Sequence, residues 1–120
     1  MTKALPAFAV ALLLFALPAT AHPLLKAAGP VPGSTVKVAP KNIRIQFSEA
    51  IELSFSGISL KNAKGESQQL GEAMLGQTNK AQLIVPITGA LAPGKYTVEW
   101  HALGDDTHPQ KGSFSFEIKP

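Results

Sequence analysis

A chain of 120 residues with ten glycines and ten prolines has room for one domain with many turns, not for two cores. Its net charge of +3 comes from basic residues spaced singly, with no cluster beside aromatics, which excludes a phosphate-tracking or base-stacking nucleic-acid surface. With no cysteine, the chain offers neither a disulfide nor a thiolate nucleophile or metal ligand.

Met1-Thr2-Lys3 is a short positive leader, residues 4–17 are almost wholly apolar, and Ala19-Thr20-Ala21 is a small-x-small cleavage signal. Together they predict a secretory signal peptide over residues 1–21. A retained membrane anchor is the competing reading, but the apolar run contains Pro6, ends at Pro18 and falls short of the about 20 residues a span needs. Cleavage after Ala21 leaves one domain, residues 22–120, with a charge of +2 and His22 as its first residue.

Beyond residue 21 no run keeps the helical period, and several alternate apolar with polar residues between turn signals. Leu24 to Ala28 reads as a first strand, closed by the turn-rich Gly29-Pro30-Val31-Pro32-Gly33-Ser34. Ile43, Ile45 and Phe47 alternate with Arg44 and Gln46. Leu53 and Phe55 extend that alternation, and Gly57 shifts it to Ile58 and Leu60, which predicts a bulge. Residues 61–80 are polar and irregular and read as a hairpin or loop. Gln82 to Ile87 is a nearly continuous apolar strand and Ala92-Pro93-Gly94-Lys95 a turn. Tyr96, Val98 and Trp100 then face inward, with Thr97, Glu99 and His101 outward. Phe114, Phe116 and Ile118 form the last strand. Six or seven short strands at this spacing predict an antiparallel two-sheet sandwich, with an open barrel as the alternative.

Enzyme signatures are missing: there is no Gly-x-Ser-x-Gly elbow, and Gly57, Gly65, Gly71 and Gly76 do not sit between a strand and a helix as a phosphate loop requires. A metal site is better supported. Asp106 and His108 are two residues apart on a loop between strands, and in an extended segment such residues point to one side. A solvated turn would carry the same pair by chance. His22 changes the balance, because as a mature first residue it offers an α-amine and an imidazole that close one chelate ring. Pro23 has no amide proton, so the following backbone nitrogen cannot join them. Three nitrogens and one oxygen suit square-planar Cu(II); Zn(II) could use the same atoms in a tetrahedron. Cu(I) prefers sulfur, and beyond the leader only Met74 supplies any.

The cleavage signal followed by His22-Pro23, the Phe47-Ser48-Glu49 stretch, the strand Pro93 to Trp100, the Asp106-Thr107-His108 loop and the closing Gly112-Ser113-Phe114-Ser115-Phe116 resemble the CopC family of periplasmic copper-binding proteins. The resemblance covers essentially all of residues 22–120. It implies a seven-stranded, antiparallel Greek-key β-sandwich of cupredoxin or immunoglobulin type, working in the periplasm in copper resistance, homeostasis or import. It implies one Cu(II) per chain, held by His22, Asp106 and His108, with Glu49 beside the site. It also implies a monomeric carrier without catalytic activity, and an inner-membrane copper transporter of the CopD type as partner. Some members carry a methionine-rich Cu(I) site in the middle loop; here residues 61–80 hold Met74 alone and no histidine.

Other residues of the C-terminal cluster have simpler readings. His101 alternates outward and is assigned to the surface or to the surroundings of the site; Asp105 should point away from Asp106; Trp100 shares the core face of Tyr96 and Val98. Two rival functions remain: a copper monooxygenase, which also uses a terminal histidine chelate but needs an open coordination position, and a metal-free sandwich that serves as an interaction module.

Overall fold

The computed structural model describes residues 23–105 and 107–120; His22 and Asp106 lie outside the described residues, as does the expected signal peptide. Eight strands form two four-stranded sheets. The first sheet has the order β1 (Leu25–Gly29), β3 (Asn42–Phe47), β6 (Gln82–Pro86), β5 (Met74–Leu75). The second has β2 (Thr35–Val36), β8 (Pro109–Ile118), β7 (Gly94–Leu103), β4 (Gly57–Asn62). The expected all-β, two-sheet architecture is present, and no α-helix occurs among the described residues.

The sheets close on each other through the alternating positions. Ile43, Ile45 and Phe47 of β3 and Leu83 and Val85 of β6 face Leu60, Tyr96, Val98, Ala102, Phe116 and Ile118 of the opposite sheet, all with 4% exposure or less. Phe47 meets Trp100 edge-on across the gap, ring centres 5.2 Å apart and planes at 65°. Tyr96 stacks on Phe116 at 5.6 Å, and its hydroxyl donates to the Ala92 carbonyl at 2.6 Å, pinning the turn that launches β7. That polar handle lets a tyrosine sit in an apolar core without an unsatisfied hydroxyl.

Three features depart from the expectation. The described residues contain eight strands instead of seven, because β2 and β5 are two-residue pieces with no pattern of their own. One pairing is parallel: Thr35 and Val36 align with Glu117 and Ile118. Leu53 to Phe55 is a 3-10 turn and not a bulged strand, leaving Leu53 36% and Phe55 63% exposed. Its geometry is fixed from outside, since the Glu52 amide donates to the Leu103 carbonyl at 2.8 Å and the Leu103 amide donates to Ser56 Oγ at 3.1 Å. Pro109 opens β8 opposite Leu103, a first-residue position where its missing amide disrupts nothing.

Candidate metal centre

β3, β7 and β1 place three distant parts of the chain at one end of the sandwich. The entering chain is tied to the end of β3 by a pair of hydrogen bonds: the Leu24 amide donates to Ser48 Oγ at 2.9 Å, and the Ser48 amide donates to the Leu24 carbonyl at 2.8 Å. Pro23, one residue earlier, is fully buried. Glu49 follows Ser48, and the segment after it is held by the Ile51 amide donating to the Lys80 carbonyl at 3.1 Å and by the Glu52–Leu103 bond. Glu49 is therefore carried on a braced connection.

Glu49 Oε1 is buried and has no hydrogen-bond partner among the described residues. A Cβ placed on Gly104 would overlap that oxygen and would lie 3.2 Å from Pro23 Cδ. Pro23, Glu49 and Gly104 thus converge on one point, and only a glycine at 104 leaves room for the carboxylate. A buried carboxylate oxygen without a donor is costly, so a site that brings it one is favoured.

β7 and β8 deliver the loop. Their ladder ends at Leu103 opposite Pro109, which sets Gly104 and His108 at the two feet of the connection. The Thr107 amide closes it weakly on the Gly104 carbonyl at 3.4 Å. Thr107 has φ +62°, a left-handed conformation that a β-branched residue rarely adopts. Such an outlier is the kind of local strain found where a loop is shaped for a task. His108 is exposed on this loop, and so is Asp105.

Of the expected site residues, the structure brings Glu49 to the foot of the loop that carries His108. It separates His101 from them. His101 lies on the outer face of β7, its ring over Gly57, where an added Cβ would come within 2.8 Å of Cε1. Lys111 is its cross-strand neighbour there. His22 and Asp106 fall outside the described residues, so of the proposed first ligands only His108 is placed. Among the described residues no three histidine, aspartate or glutamate side chains gather into a metal-sized group. Sequence reasoning missed Gly104. Nothing in the pattern distinguishes it from a turn glycine, and only the approach of Glu49 reveals what it does.

The CopC domain model matches residues 25–119. The chain belongs to the CopC family. Protein YobA of Escherichia coli K12 is 37% identical over 99 residues, covering 82% of this chain and 80% of that protein. Copper resistance protein C of Escherichia coli is 35% identical over 111 residues, covering 87% and 86%. Among solved structures, PcoC, described as a methionine-rich copper resistance protein from Escherichia coli, superposes with a TM-score of 0.72 at 33% identity, covering 82% of this chain and all of PcoC. The two-sheet architecture is therefore that of CopC structures. The methionine-rich character named for PcoC is not repeated here: this chain has two methionines, Met1 and Met74.

Proposed function

We propose that this CopC-family chain is an exported Cu(II) carrier of the periplasm, a binding protein and not a catalyst. It takes one Cu(II) as cargo, serving copper resistance, homeostasis or import. The amine and imidazole of His22, the Asp106 carboxylate and the His108 imidazole supply three nitrogens and one oxygen, a set that suits a tetragonal Cu(II) ion. Pro23 keeps the next backbone nitrogen out of the coordination sphere.

The observation that carries this reading is the unpartnered Glu49 Oε1 against Pro23 and Gly104. His22 is bonded to Pro23, and His108 is the other foot of the loop that Gly104 begins. A carboxylate at that meeting point can accept a hydrogen bond from an N–H of a coordinating amine or imidazole, which orients the ligand and raises its basicity. Glu49 is thus a positioning residue, and the acceptor it offers fits a nitrogen-rich copper site. The amine exists only after cleavage behind Ala21, so export and site formation are one event. A membrane copper transporter of the CopD type is the partner this role calls for.

The test is a Cu(II) titration followed by electron paramagnetic resonance on protein processed to begin at His22. The expected result is one equivalent bound with nitrogen superhyperfine structure, degraded by His22→Ala and by His108→Ala. Retention of the same spectrum in both variants rejects the assignment. Because amine and imidazole coordinate only when unprotonated, affinity should fall as the solution is acidified.

A further inference from the structure

A second feature at this end of the sandwich lies outside the ligand set. Beside the loop is a cleft of about 880 Å³, lined by residues of the 3-10 turn, by the segment entering β5 and by Asp105. Its walls carry three carboxylates, Glu52, Glu72 and Asp105, against one cation, Lys80, while Leu53 and Leu75 supply apolar surface. The chain as a whole is basic, yet among the described residues four carboxylates, Glu49, Glu52, Glu72 and Asp105, stand at this end.

We propose that this cleft is the docking surface for a copper-exchanging partner protein, which inserts a segment of mixed basic and apolar side chains. This rests on the Cu(II)-carrier reading for the partner's purpose, but the surface is argued from its own features. The first is charge complementarity: an acidic cleft on a basic protein selects a cationic segment, and exposed charges of this kind steer encounter more than they hold it. The second is the apolar component. Leu53 is half turned to solvent and Phe55, two residues on, is 63% exposed, because the chain leaves the strand path there. Exposed apolar side chains beside carboxylates are the composition of a surface meant to be covered. The third is rigidity, since the turn is held to Leu103 by the two hydrogen bonds already described. The last is position. Asp105 lines the cleft and immediately precedes Asp106, so an occupant lies against the ligand loop itself. A second copy of this chain fits less well, because a two-fold contact would set the same carboxylates against each other.

The probe is a set of three short synthetic peptides: alternating Lys and Leu, alternating Glu and Leu, and alternating Lys and Ser. Each is titrated into isotope-labelled, metal-free mature protein and followed by amide chemical shifts, and its binding to protein carrying one equivalent of Cu(II) is read by calorimetry. The Lys-Leu peptide should move the amides of residues 51–54, 72–75, 80 and 105, and the other two should move them several-fold less. Replacing Glu52→Gln with Glu72→Gln should weaken that binding roughly three- to tenfold, and raised salt should weaken it further. These exposed substitutions leave folding intact, which the unchanged thermal midpoint verifies. Equal binding of all three peptides, shifts spread evenly over both sheets, or no effect of the double substitution would overturn the proposal. Concentration-dependent shifts at the same amides without peptide would assign the cleft to a second copy instead and reject the partner. Cu(II) binding without peptide binding removes the docking surface alone; peptide binding in a protein that takes no Cu(II) removes the carrier reading and leaves the surface.

Discussion

The Glu49 carboxylate occupies the space that a side chain at Gly104 would fill. Two residues 55 positions apart in sequence are thereby matched: the end of β3 contributes the charge, and the end of β7 contributes the absence of a Cβ.

Gly104→Ala must therefore push Glu49 and Pro23 aside. Both are on braced backbone, so the expected cost is that of overpacking, about 1–3 kcal/mol. For a domain of this size each kcal/mol lowers the thermal midpoint by about 4–8 °C. Thermal unfolding of the metal-free protein checks this, and Cu(II) affinity should fall in the same variant because the carboxylate has moved.

Glu49→Gln separates the two roles. The amide has nearly the same shape but no charge, and it removes a buried carboxylate oxygen that lacks a donor. Metal-free stability should be unchanged or slightly higher. Cu(II) affinity should drop by about 10–100-fold, the usual effect of losing a partner of a metal ligand. Chelator competition and thermal unfolding on the same sample distinguish this from a structural role, which would lower the metal-free midpoint and leave affinity alone.

Much of the fold was legible because alternation is a direct image of burial. Ile43, Ile45 and Phe47, then Tyr96 and Val98, and Phe116 and Ile118 are core residues as their spacing predicts. Leu53 and Phe55 carry the same alternation and are exposed, since a hydrogen bond to Leu103, not local pattern, decides their path. β2 and β5 are too short to imprint a period, and a parallel partner for Thr35 leaves no local trace. The loop between β7 and β8 that carries His108 was readable from the turn residues between two alternating runs, while the ligand role of His108 is a proposal from residue type and spacing. Glu49 was readable only through the family resemblance. The role of Gly104 and the left-handed Thr107 are products of tertiary closeness that no single segment encodes.

Trp100 gives a reporter for the packing beneath the loop. Its ring covers Gly112, where an added Cβ would lie 2.6 Å from Cζ2 and 2.8 Å from Cε2. Gly112→Ala should displace the ring from its edge-on contact with Phe47, lowering stability by about 1–3 kcal/mol. The chain has one tryptophan, so a red shift of its emission reads the displacement without interference. An unshifted spectrum with an unchanged midpoint would mean that the ring has room to move.

If the amine that cleavage exposes at His22 completes the copper site, removing that amine alone must weaken it. The most direct measurement compares Cu(II) affinity, by chelator competition at neutral pH, for protein that begins at His22 and for the same protein with that N-terminal amine acetylated. Acetylation leaves every side chain in place but takes the amine lone pair out of the five-atom chelate with the His22 ring. The expected result is a loss of affinity of several orders of magnitude and an altered electron paramagnetic resonance spectrum. Equal affinity and an identical spectrum for the two proteins would contradict it.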